Sequence, residues 1–187
     1  MESKKTDGRI KYTKMVIKQA FLELLEKQPL SKVTVTDICK RAEINRGTFY
    51  TYYTDSYDLL MKIENELFME IKGVLEKALI VGTDYDFLIE ILEYTTKNSA
   101  LCKILFSVNG DKDFIQRILN LAHDNSILEY QSSAPEATIE SLELLFIFIS
   151  NGIIGIIQNF LKNDMKQSPK EVAEFIGKLN NRCIQIF

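Results

Sequence analysis

VTVTDICKRAEINRGTFYTYYTDSYDLL, residues 33–60, decides how this chain folds. Thr34 can cap a helix, since its hydroxyl can accept from an orphan backbone N–H, and Asp37 three residues on favours the same N-terminus. Val35, Ile38, Cys39 and Ala42 then form one apolar stripe. Ala42-Glu43-Ile44 is a turn, and Asn45 is a good cap for a second helix. That helix carries Phe49 and Tyr53, four residues apart, on its buried side. At ~100° per residue its opposite side shows Gly47, Thr48 and Thr51, flanked by Arg46, Tyr50 and Tyr52.

Working outward, apolar residues recur through residues 9–27 at Tyr12, Val16, Ala20 and Leu24, with Ile17, Phe21 and Leu25 alongside. These i, i+3, i+4 steps predict an amphipathic helix. Residues 1–8 are polar and are expected to be disordered. Beyond the motif, Asp55 or Ser56 caps a long helix to about residue 79, with Leu59, Leu60, Ile63, Leu67, Ile71, Val74 and Leu75 on one face. Further helices are predicted over residues 85–98, 100–108, 112–131, 135–162 and 168–186, with breaks at 81–84, 109–111, 132–135 and 167–169. Pro135 and Pro169 fall where a first helical turn tolerates proline. No segment has strand periodicity. The expectation is an all-α chain of about nine helices. A three-helix head with a helix-turn-helix occupies residues 1–55, and a helical effector-binding and dimerisation body occupies residues 56–187.

Composition supports this. The 187 residues are 46% hydrophobic and 26% charged, and only three Pro and eight Gly interrupt long helices. Net charge is −3, but unevenly placed: residues 1–60 hold 11 Lys/Arg against 8 Asp/Glu, and the remainder 12 against 18. A mildly basic head on an acidic body suits a small phosphate-contacting module, although chance variation between halves gives the same pattern. Cys39, Cys102 and Cys183 are odd in number and widely spaced, which supports neither a disulfide framework nor a zinc site. The opening MESKKTDGRIKY lacks the apolar core of a signal peptide, so a cytoplasmic protein is expected. Residues 142–161 approach the length of a membrane span. Glu143, Ser150, Asn151, Gln158 and Asn159 within them favour a helix buried or shared between subunits instead, with no membrane partner.

Two helices joined by a short turn, the second projecting polar groups, follow the helix-turn-helix plan, in which the second enters the DNA major groove. Gly47 removes a side chain where backbone would approach DNA. Arg46 offers a planar fork for guanine O6/N7 or a phosphate. Thr48 and Thr51 can meet base edges or a thymine methyl, and Tyr50 and Tyr52 suit phosphate oxygens. Spacing alone also fits a generic helical hairpin with a tyrosine-rich surface.

Residues 9–60 resemble the DNA-binding domain of the TetR family of bacterial transcriptional regulators. The matching pieces are the apolar first helix, VTVTDICKRA, INRGTFYTYY and a capped helix opening DSYDLL. Farther on, NGIIGIIQNFLKNDMKQSPKEVAEFI resembles a TetR subgroup that includes activators of dihydroxyacetone kinase genes. The resemblance implies a homodimer on a palindromic double-stranded operator, its last two long helices forming a four-helix bundle across a two-fold axis. It places Thr34, Thr36 and Asn45 near phosphate or a base edge, Arg46, Gly47, Thr48 and Thr51 toward the bases, and Tyr50 and Tyr52 on the backbone. Three positions depart from the family. Glu43 stands where Gly is usual, Thr36 where a basic residue is common, and Ser56 where Lys is common. Lys4, Lys5, Arg9 and Lys11 are candidates to replace the missing cations.

In the body, Phe87, Tyr94, Phe106, His123, Phe146 and Asn151 are candidates to line a ligand cavity, and ordinary core packing competes for each. The dimer seam is expected at Phe148, Gly152, Gly155, Ile156, Phe175 and Leu179. No nucleophile elbow, metal cluster or positioned carboxylate pair is visible, so neither an enzyme nor a bound cofactor is expected. Two regulators remain: a repressor released by a small-molecule effector, and an activator or co-activator whose body receives a partner protein.

Overall fold

The computed structural model describes residues 2–81, 84–107 and 112–187, with side chains over 7–77, 87–107 and 113–187. Among them the regular structure is helical throughout, and the chain divides into two compact units, Met1–Leu67 and Phe68–Phe187. The predicted break at 109–111 lies outside the described residues.

The first unit holds α1 (Glu2–Leu25), a 3-10 turn (Leu30–Lys32), α2 (Val35–Arg41), α3 (Arg46–Tyr50) and the start of α4 (Ser56–Val81). α1 begins at Glu2, so the segment expected to be disordered continues the helix. Glu2, Lys4 and Lys5 are good helix formers, and Gly8 is the only breaker there. Ile17, Ala20 and Phe21 are fully or nearly fully buried, but Tyr12, assigned to the same stripe, is 63% exposed. The seven residues of α2 span only about 10 Å and cover few turns of α1. Arg41 pairs with Glu23 across the two helices.

Local chemistry sets the boundaries. Thr34 accepts from the Asp37 N–H at 3.2 Å while Asp37 accepts from the Thr34 N–H at 3.3 Å, a reciprocal capping box. At the other end of α2 the Ile44 N–H reaches the Cys39 carbonyl at 3.0 Å, which places Glu43 in the left-handed region at φ 54°. A side chain there costs roughly 1–2 kcal/mol that glycine avoids, partly offset by glycine's greater freedom when unfolded. Glu43→Gly is therefore expected to raise the melting temperature of the head by a few degrees in thermal unfolding followed by circular dichroism. A fall would mean that the glutamate side chain, not the backbone, holds the turn.

Asp55 is the cap of α4: its carboxylate accepts from the Asp58 N–H at 2.8 Å, while Ser56 is buried. Leu59, Ile63 and Leu67 are buried along the first turns of α4, so the division between units falls inside this helix, twelve residues past the expected boundary at residues 55/56.

The second unit continues with α5 (Asp84–Lys97), α6 (Ser99–Leu105), α7 (Lys112–Ser133), α8 (Ile139–Lys162) and α9 (Pro169–Ile184). α8 is its spine. The C-terminal half packs Ile157, Phe160 and Leu161 with Leu88, Leu92, Cys102, Val172, Ala173 and Ile176 from α5, α6 and α9. The N-terminal half packs Leu142, Leu145, Phe146 and Ile149 with Tyr130 of α7. Helix α8 starts at Ile139 rather than at Pro135. Proline's fixed φ suits the second position of a turn, here closed by the Ala137 N–H on the Ala134 carbonyl at 3.1 Å, and Thr138 is the cap. Pro169 does open its helix, behind a Ser168–Glu171 capping box. Among the described residues α8 alone is long and apolar enough to cross a bilayer, but eight of its residues are buried within this unit.

Candidate nucleic-acid interface

Asn45 Oδ1 organises the start of α3. It accepts from the Thr48 N–H at 2.7 Å and from the Thr48 hydroxyl at 3.1 Å. A Cβ on Gly47 would come within 3.2 Å of that same oxygen, so the glycine protects the cap before any DNA is considered. The Thr51 hydroxyl turns back onto the Gly47 carbonyl at 3.0 Å.

Buried aromatics hold α3 on the head. Phe49 is fully buried and Tyr53 nearly so, with ring centroids 5.5 Å apart. Burial, followed by the nearby Glu66 and Asp58, pushes the Tyr53 phenol up to about 12, so it stays neutral. With that face fixed, the other is open: Asn45, Arg46, Gly47, Tyr50 and Thr51 are exposed, and Thr48 and Tyr52 are half-buried. Arg46 Nη2 donates to the Tyr50 oxygen at 3.0 Å, with the guanidinium 5.7 Å from the ring centroid. That hydrogen bond raises the Arg46 pKa further.

Thr34 and Thr36 are exposed at the start of α2, but the Thr34 hydroxyl is spent on Asp37 at 2.6 Å. Two cations stand near the tyrosines. Lys14 of α1 lies 5.8 Å from the Tyr52 ring centroid. Lys62 of α4 donates to the Tyr52 carbonyl and to Asp58, both at 2.9 Å. The Asp58–Lys62 spacing of four was a readable signal. Lys14 had none, because its approach to Tyr52 depends on how distant helices cross.

In the second unit the six suggested cavity residues do not form one group. Phe106 packs against the α5–α6–α8–α9 core, whereas Phe146 belongs to the α7–α8 core. His123 stands edge-on to Phe146 at 4.9 Å, and both ring nitrogens meet carboxylates, Glu143 at 2.9 Å and Asp124 at 2.8 Å. These partners, Glu143 foremost, raise its pKa and leave no free nitrogen for a ligand. Phe87 and Tyr94 are half-buried on α5, and Asn151 is exposed, its amide bonded to the Ile147 carbonyl at 2.8 Å.

Four of the six residues expected at a dimer seam share one surface groove. Gly152, Gly155, Ile156 and Phe175 line one open groove of about 410 Å³ with Asn159, Gln167 and Val172. Phe148 is 69% exposed and Leu179 43%. A Cβ on either glycine would meet nothing within 4 Å.

Comparison with known proteins gives this geometry a family. Residues 17–62 match the bacterial regulatory protein family tetR, and residues 83–182 match a transcriptional regulator C-terminal region. The chain is 34% identical over 172 residues to an uncharacterized HTH-type transcriptional regulator of Bacillus subtilis, YxbF, covering 87% of this chain and 43% of that protein. It is 28% identical over 102 residues to DhaS of Lactococcus lactis, the dhaKLM operon transcriptional activator, covering 54% and 52% of the two. The chain thus spans about half the length of these relatives. A TetR transcriptional regulator from Streptococcus agalactiae shares the fold with a TM-score of 0.65 at 22% identity, over 95% of this chain and 98% of that one. The families matched are regulators, not enzymes. The chain belongs to the TetR family of bacterial regulatory proteins.

Proposed function

We propose that this chain is a cytoplasmic, homodimeric, DNA-binding regulator of transcription acting on a palindromic operator. The observation that carries the reading is the exposed polar face of α3, with Arg46 and Tyr50 outward and Phe49 and Tyr53 locked beneath. The first compact unit, residues 1–67, is the reading head and the second, residues 68–187, the effector-binding and dimerisation body. Asn45, Arg46, Gly47, Thr48, Tyr50, Thr51 and Tyr52 form the contact surface, with Thr34 and Thr36 beside it. The groove lined by Gly152, Gly155, Ile156 and Phe175, with Phe148 of α8 and Leu179 of α9 also exposed, supports a second copy on α8 and α9. Two paired heads would read half-sites about 34–36 Å apart or a multiple of that.

The body acts by population shift. An effector favouring one arrangement of the two heads changes operator affinity by its difference in affinity for the two states. Repression released by a small molecule is the first reading. The likeness to DhaS, named as an activator, favours a second, in which a partner protein docks on the body. The first requires ligand groups other than the His123 nitrogens, which carboxylates already occupy.

Binding of the purified chain to the duplex upstream of its own gene tests the reading. A dimer per site is expected, with affinity falling at least about 100-fold between 50 and 200 mM salt. Equal affinity for operator and scrambled duplex overturns it. Thermal unfolding with metabolites or with a body-binding partner separates the two versions, since only the effector raises the melting temperature.

A further inference from the structure

We infer that Thr48 and Thr51 read thymine through their methyl groups, so that of the three side chains turned toward the bases, Arg46, Thr48 and Thr51, Arg46 alone brings a free hydrogen-bond donor. The inference rests on the proposal that α3 enters the major groove, and it deepens it. A threonine hydroxyl has one proton. In Thr48 that proton lies on Asn45 Oδ1 at 3.1 Å, and in Thr51 on the Gly47 carbonyl at 3.0 Å. Both acceptors belong to α3 and its cap and are present before DNA arrives. Neither threonine therefore has a donor to offer guanine O6/N7, adenine N7 or thymine O4 without breaking a bond that shapes the helix. What each has left is a methyl group and hydroxyl lone pairs.

Tyr50 has the opposite polarity. Its oxygen accepts from Arg46 at 3.0 Å, so its proton is free for an outside acceptor, and a phosphate oxygen is the acceptor the duplex presents. Arg46 retains further N–H groups for a guanine edge. Donors thus sit at Arg46 and Tyr50, and apolar surface at Thr48 and Thr51. In the major groove only thymine presents a methyl group. Each half-site should therefore place thymines beside the guanine that Arg46 takes.

The test begins with duplexes selected from a random pool by the purified full-length chain, remade with uracil for thymine in the half-sites. Uracil keeps O4 and removes only the methyl. The parent protein is expected to bind the thymine duplex about five- to tenfold more tightly than the uracil duplex. Thr48→Val and Thr51→Val, which keep a methyl and lose the hydroxyl, should keep that preference. Thr48→Ser and Thr51→Ser, which keep the hydroxyl and lose the methyl, should each lose their share, and the double serine variant should bind both duplexes equally. Circular dichroism confirms that each variant is folded. If the parent selects a specific sequence but is indifferent to uracil, the hydroxyls or lone pairs do the reading and this inference falls alone. If the parent selects no sequence, the placement of α3 in the groove falls with it.

Discussion

Replacing Gly152 and Gly155 together by glutamate is expected to leave a folded monomer whose operator affinity has dropped at least about 100-fold. Within the subunit nothing opposes the change, because a Cβ at either position meets no atom within 4 Å. Glycine inside a helix costs roughly 0.5–1 kcal/mol relative to better helix formers, so α8 itself should become more stable. The obstacle is the proposed second copy. Ile156 and Phe175 line the groove with the glycines, and two carboxylates pressed into that seam, counted twice by symmetry, lose several kcal/mol of hydration without a partner. Each head then binds its half-site alone, without the gain in effective concentration that a linked partner gives. Sedimentation read beside circular dichroism checks both halves of the expectation. Persistence of the dimer at micromolar concentration would show that the copies meet elsewhere. Unfolding would show that the glycines serve the subunit rather than its assembly.

What the sequence disclosed was mostly local. The Thr34 and Asn45 caps, the Ser168-Pro169 start of α9 and the strained site at Glu43 each depend on residues within five of one another, and all stand where the pattern puts them. The head was legible because its contacts are short-range and its aromatic spacing unusual. Failures arose where two local signals competed or where contacts were distant. Pro135 suits a first helical turn as well as a β-turn, and only Thr138 downstream decides between them. Whether residues 1–8 extend α1 turns on propensity, which is a weak guide in a polar segment. In the body, sequence offers residue type alone as a guide to a cavity. Type does not say that Phe106 and Phe146 belong to different cores, or that His123 is already held by two carboxylates. The proposed α8–α9 seam rests partly on sequence, since apolar residues on more faces than one subunit can cover point to a second.

Arg46→Ala carries the other large effect. A bidentate arginine–guanine contact discriminates by about 1–3 kcal/mol, and a dimer makes two of them, so operator binding should weaken by between about 30-fold and about 10⁴-fold. The loss should be far smaller on scrambled duplex, where the side chain supplies only charge. Arg46→Lys keeps that charge without the planar fork and should recover scrambled-duplex binding but not operator preference. Tyr50→Phe provides the contrast. It keeps the ring 5.7 Å from the guanidinium while removing both the acceptor for Arg46 and the outward proton. If the hydroxyl serves a phosphate, affinity should fall on every sequence and the salt dependence should become shallower by roughly one contact per head. A part of the Arg46 preference should go as well, since the fork would no longer be held from below. Arg46→Ala weakening operator and scrambled duplex alike would make this arginine a phosphate contact and leave Arg46, Thr48 and Thr51 without a hydrogen bond donated to a base. Parent-like operator binding by both Arg46→Ala and Tyr50→Phe would sink α3 as the reading helix, because these two exposed side chains carry the outward donors on which its reading is proposed to rest.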